Sequence, residues 1–133
     1  MTGEQGVFKD TLLEALGIKI VELSEERAVA TMPVNHATRQ PHGLLHGGAS
    51  VALAETVASM GTYNLVDKTT KYVVGIEINA NHIRSKSDGV VTAVGIPIHK
   101  GKTTMVWEIK ITDENGTLIC ASRCTVGIFP KSI

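Results

Sequence analysis

The stretch HGGASVALAETVASMG, His46 to Gly61, decides how the rest of the chain is read. Gly47 to Val66 is twenty residues long and contains one charged side chain, Glu55. Ala49, Ser50, Ala52, Ala54, Ala58 and Ser59 are small and would let a neighbouring backbone approach closely. A polar face is nearly missing, so the segment predicts a long helix, from about Gly48 to Val66, surrounded by protein. Its length would also span a bilayer. Glu55, Asn64, three glycines and several hydroxyls argue against a membrane helix. A carboxylate at the centre of the most apolar segment is costly unless the chain uses it.

Working outward, the preceding NHATRQPHGLLHGG reads as a loop, because Pro41 and three glycines disfavour any regular element. Upstream, IKIVEL and RAVATMPV look like two strands joined by the polar turn SEER. FKDTLLEALGI places Leu12, Leu13, Leu16 and Ile18 near helical spacing, with Gly17 as a stop, which predicts a short N-terminal helix. Downstream the pattern turns to strands. YVVGIEINANHIR and VVTAVGIPI come first. TTMVWEIKI follows, placing Met105, Trp107, Ile109 and Ile111 on one face with Glu108 and Lys110 on the other. The turn DENG, with Asn115-Gly116 suited to positive φ, leads into TLICASRCTVGI. Consecutive strands joined by such short turns must be antiparallel. The expectation is an α+β domain over residues 1–133: an antiparallel sheet of about five strands wrapped around one long central helix. One sheet cannot cover a helix that is apolar nearly all round, so a second copy of the chain is the simplest further cover.

Composition narrows the classes. The length of 133 residues suits one domain and one core. Thirteen basic and thirteen acidic residues cancel, so charge gives no pointer to nucleic acid or a membrane surface. The N-terminus MTGEQGVFKD lacks the pattern of a secretion signal. Cys120 and Cys124, if on one strand, would lie about 13 Å apart and could not pair with each other. Reduced, buried thiols in a cytoplasmic protein are expected.

The architecture, with QPHGLLHGGASVALAE, GIEINANHIRS (Gly75–Ser85) and VWEIKITDENGTLICASR (Val106–Arg123), resembles the hotdog-fold acyl-CoA thioesterases. The likeness runs from about Met32 to Ile128 and is greatest to the branch acting on 4-hydroxybenzoyl-CoA and 1,4-dihydroxy-2-naphthoyl-CoA. It implies that Glu55 attacks the thioester carbonyl, or activates water against it. A carboxylate with little water around it is the better base or nucleophile, and desolvation raises its pKa. The Gly47 N–H at the helix start would polarise the carbonyl, with Gln40 and His46 beside it. Ser59, one turn after Glu55, would position water, and Met60 would wall the acyl pocket. His82, Arg84 and Ser85 correspond to the coenzyme A region, and the basic turn at Lys100 and Lys102 could reach a phosphate. No metal or organic cofactor is implied, since coenzyme A is part of the substrate. A homotetramer of paired dimers is implied, with each active site shared across an interface, Glu55 from one subunit and Ser59 from the facing one.

Other readings fare worse. GGASVA brushes against a nucleophile elbow at Ser50, but that motif needs a larger parallel sheet. His42 and His46 have the spacing of a helical metal pair, yet Pro41 and Gly43 oppose a helix there. A hotdog dehydratase would place a histidine in the long helix, and none occurs there. A non-catalytic acyl-CoA-binding or scaffold protein on the same fold would have no need of Glu55.

Overall fold

The computed structural model describes residues 8–132. Most of the segment searched for a secretion signal, residues 1–7, lies outside them. The elements in chain order are α1 (Leu12–Leu16), β1 (Lys19–Leu23), β2 (Ala28–Pro33), α2 (Gly47–Leu65), β3 (Lys71–His82), β4 (Val90–Lys100), β5 (Thr104–Thr112) and β6 (Leu118–Pro130). The strands form one sheet in the order β1-β2-β4-β5-β6-β3, every pair antiparallel. The sheet therefore has six strands, not about five: every segment read as a strand joins it, the N-terminal hairpin through β2 beside β4. β3 leaves the helix and pairs with β6, the last strand, so the first strand after α2 becomes an edge.

Local chemistry sets the boundaries. Thr11 caps α1, accepting the Glu14 N–H on its side chain. The SEER turn closes with Ser24 Oγ accepting from the Glu26 and Arg27 N–H groups at 3.2 Å each. In the turn after β5, Asp113 Oδ1 accepts from Asn115 N and Thr117 N, both at 2.9 Å. Gly116 alone takes a positive φ there, so this turn does not need the left-handed conformation at both central residues.

The core sits between α2 and the concave face of the sheet, and α2 packs against all six strands. Ala49, Ser50, Leu53, Ala54, Val57, Ala58, Gly61 and Thr62 are buried. They recur in pairs every four residues, so they form one stripe down the helix. The facing β5 residues are the predicted ones: Met105, Trp107, Ile109 and Ile111 are all buried. Trp107 packs against Gly61, where a Cβ would stand 2.7 Å from Cζ2. Its indole N–H donates to Thr62 Oγ1 at 2.9 Å, and that hydroxyl donates to Ala58 O at 2.8 Å. The largest core side chain is thus packed and fully hydrogen-bonded through the helix. The other face of α2, which includes Ala52, Glu55, Thr56, Ser59 and Met60, is only half-buried. The described residues of one chain do not enclose the helix completely. Cys120 and Cys124 are free thiols on the buried face of β6.

Candidate active site

The loop before α2 is tightly folded despite having no helix or strand. Buried Thr38 organises it: Oγ1 donates to Pro33 O at 2.9 Å, and its carbonyl accepts the His46 N–H at 2.8 Å. The Leu45 N–H donates to Lys86 O at 2.7 Å, which ties this loop to the one after β3. Gln40 Oε1 accepts the His42 N–H, fixing the direction of its amide. His46 is the N-cap of α2, with Nδ1 accepting from the Gly48 N–H at 2.7 Å. An accepting Nδ1 is unprotonated, so the proton of the neutral ring is assigned to Nε2. Charging the ring would turn Nδ1 into a donor and remove the cap.

The His46 carbonyl takes the Ala49 and Ser50 N–H groups at 3.0 and 3.2 Å. Among the described residues the Gly47 N–H has no hydrogen-bond partner. It is the first of the orphan donors of a 19-residue helix, at the positive end of the dipole. His82 lies against it: a Cβ on Gly47 would stand 2.8 Å from Nε2. These groups line a cleft of about 350 Å³ with Gln40, Ser50, Arg84 and Ser85. The strand read from the sequence as reaching Arg84 is shorter in the structure. β3 stops at His82, and the Ile83 and Arg84 N–H groups both turn back to Ile119 O, at 2.8 and 3.2 Å.

Glu55 occupies a second cleft, of about 250 Å³, lined by Leu12, Leu13, Ala52, Thr56, Ser59 and Met60. The side chain is half-buried and its carboxylate rests on the bare Cα of Gly75 in β3. No hydrogen bond to the carboxylate is found among the described residues. Thr56 donates its hydroxyl to Ala52 O at 2.7 Å, whereas the Ser59 hydroxyl, which lines the same cleft, has no hydrogen-bond partner among the described residues. Burial pushes the Cys124 thiol up to about 12, and the negative charges of Glu55 and Glu77 add to the effect.

The sequence-derived residues therefore fall into three groups. Gln40, Gly47, His82, Arg84 and Ser85 share the first cleft, with His46 capping the helix beside it. Glu55, Ser59 and Met60 share the second. Lys100 stands with Leu65 and Val66 at the opposite end of α2, and Lys102 follows in the adjoining turn. Gly47 and Glu55 are eight residues apart on one helix, which is about 12 Å of rise. The two clefts share no lining residue. Leu12, Leu13 and Gly75 are parts of the Glu55 surroundings that sequence reasoning missed. A glycine in the middle of a strand was the one available signal. Among the described residues no cluster of three metal-ligating side chains occurs.

This fold, an antiparallel sheet packed on one long central helix, is that of a class, the hotdog-fold thioester hydrolases. Comparison with known proteins agrees. The Thioesterase superfamily matches residues 42–120. A Bacillus subtilis protein named as the putative esterase ComA2 is 60% identical over 124 residues, covering 93% of this chain and 98% of that one. The 1,4-dihydroxy-2-naphthoyl-CoA hydrolase of Listeria monocytogenes is 49% identical over 120 residues, covering 90% and 97%. A crystal structure of a mutant of thioesterase PA1618 from Pseudomonas aeruginosa superposes with a TM-score of 0.95 at 42% identity, covering 98% of this chain and 95% of that one. The chain belongs to the Thioesterase superfamily and is a thioester hydrolase.

Proposed function

We propose that this protein hydrolyses an aromatic acyl-CoA, of the hydroxybenzoyl or dihydroxynaphthoyl kind, to the free acid and coenzyme A. The observation that carries the reading is the half-buried Glu55 carboxylate facing an apolar cleft, on the helix whose first N–H is unpartnered among the described residues. The aromatic acyl group is supported by the 49% identity to the Listeria naphthoyl-CoA hydrolase. As the thioester is attacked, negative charge gathers on its oxygen, and the Gly47 N–H is aimed to receive it. Glu55 acts by one of two balanced routes. As nucleophile it bonds to the acyl carbon, expels the coenzyme A thiolate and leaves a mixed anhydride that water cleaves. As base it takes a proton from water, whose oxygen attacks and expels the same thiolate. Gln40 and His46 hold the Gly47 turn, Ser59 orients water and Met60 walls the acyl group. His82, Arg84 and Ser85 meet the coenzyme; Lys100 and Lys102, at the other end of α2, reach a phosphate only where another copy of the chain brings them to this cleft.

The thioester oxygen must stand within about 3 Å of the Gly47 N–H while Glu55, or the water it activates, reaches the adjoining carbon, so Gly47 and Glu55 have to be close together. One chain holds them about 12 Å apart along α2, so the complete site takes Gly47 from one copy and Glu55 from another. Glu55 and Ser59 line the same cleft of a single chain, so they need not come from different subunits. The twelve-residue edge strand β3, with Tyr72, Val74 and Ile76 exposed, offers the surface for a second copy. The half-covered face of α2 offers a further one, which fits a homotetramer of paired dimers. Two free thiols fit a cytoplasmic setting. No helix among the described residues is long and apolar enough to cross a membrane.

Thiol release from benzoyl-CoA tests the reading. The native protein turns over, and Glu55→Ala lowers kcat by about 10²–10⁴-fold. Tight binding of acyl-CoA with no thiol release, before and after the substitution, would favour a binding module on the same fold. A preference for medium-chain fatty acyl-CoA in a substrate panel would end the aromatic assignment and leave the hydrolase.

A further inference from the structure

We propose that Gly75 is a positioning residue for Glu55: the missing side chain makes the seat on which the carboxylate rests, and so sets where it points. The proposal rests on Glu55 being the reacting group, as read above. A Cβ built on Gly75 would overlap Glu55 Oε2 and stand 3.0 Å from Cδ and 3.4 Å from Cγ. Its three nearest heavy atoms all belong to that one side chain.

Backbone conformation gives no other reason for glycine at this position. Gly75 is absent from the residues with positive φ, unlike Gly89, which also faces a carboxylate, that of Glu114, but needs its φ of 82°. Glycine weakens the interior of a strand and is retained there where something approaches closely. Gly61 and Gly95 leave room for Trp107 and Val57, which is core packing. Gly75 leaves room for a carboxylate at the mouth of a cleft. A register shift between Gly75 and Glu77 adds Ile76 to the edge strand at the same point, and such bulges re-aim what lies beside them.

A methyl group at position 75 meets only the far end of a flexible side chain. The helix and sheet can stay where they are while the carboxylate swings aside. Displacement of a reacting group by about 1 Å costs on the order of 10²-fold in rate. The effect should therefore fall on kcat and spare both KM and the fold.

The experiment measures kcat, KM and Tm of Gly75→Ala on a thioester that the native protein hydrolyses, beside Glu55→Ala and the double variant, with a crystal structure of Gly75→Ala. The expected result is a kcat about 10–100-fold lower, a KM within about threefold, a Tm close to native and a carboxylate displaced by about 1 Å or more. A kcat within about twofold of native, where Glu55→Ala is inactive, would overturn the proposal. Should Gly75→Ala fail to fold, the double variant decides. Recovered folding supports the seat, because the obstructing carboxylate is gone, and continued failure overturns it. Should Glu55→Ala keep full turnover, the catalytic reading falls instead. The crystal structure then decides alone: a displaced carboxylate sustains the seat and an unmoved one overturns it.

Discussion

The Gly47 N–H is the group on which the electrostatics of the proposed reaction turn, and it can be removed with little disturbance of the helix. Proline lacks that N–H and suits the first position of a helix. The preceding His46, at φ −70° and ψ 130°, already has the backbone conformation that proline requires before it. Gly47→Pro brings a Cβ into the space beside His82 Nε2. Gly47→Ala brings the same atom and keeps the N–H, so the pair separates the effect of the Cβ from that of replacing the N–H by the proline ring. The expected outcome is a kcat for the proline variant about 10²–10³-fold below that of the alanine variant, measured by thiol release. Equal rates would place the oxyanion donor elsewhere. Single residues also show what could be read ahead of the structure. Glu55 was legible because a charge in an apolar helix contradicts its surroundings. Gly75 was not, because its meaning depends on a strand that approaches the helix only after β3 has paired with β6.

Between elements, one ion pair governs how the loop after β3 is held against the rest. Lys86 Nζ meets Glu114 Oε1 at 2.6 Å, and Glu114 Oε2 accepts the Val90 N–H at 2.9 Å. This joins the β5–β6 turn to the segment that carries Arg84 and Ser85. Through Lys86 O that segment also holds Leu45, two residues before Gly47. The Lys86 ammonium and the Val90 N–H lower the Glu114 carboxyl from its usual 4.5 to about 2. A lowered carboxylate stabilises the fold above its unfolded value, and that contribution is lost as pH falls through the folded one. Acid unfolding of the native protein should therefore steepen between about pH 4.5 and 2, and Glu114→Gln should flatten that limb in circular dichroism. An unchanged acid limb would remove the ion pair from the account. The strands themselves were legible from alternation, most clearly in Met105 to Ile111. Their order was not. Alternation reports which face is buried and is silent on which neighbour supplies the hydrogen bonds. The N-terminal hairpin and β3 thus found their places only in the structure, and Lys100 proved to lie at the far end of α2 from Gly47.

For the whole molecule, the division of the site between two clefts makes a prediction that no single chain can satisfy. If Gly47 of one copy serves Glu55 of another, a Glu55→Ala chain keeps a working helix start and a Gly47→Pro chain keeps a working carboxylate. Each is inactive as a homo-oligomer. In a mixed dimer one of the two sites unites the intact halves, while the other unites the two damaged ones. Random pairing at equal amounts makes half the dimers mixed, so co-expression should restore about a quarter of native turnover. Separately purified variants should recover activity only as fast as subunits exchange. Sedimentation supplies the accompanying check, since a mixed site needs at least a dimer at assay concentration. No restored turnover in a preparation shown to contain mixed dimers would mean that each chain completes its own site. The Glu55 side chain and the bound substrate would then have to bridge the roughly 12 Å that separates Gly47 from Glu55 along α2.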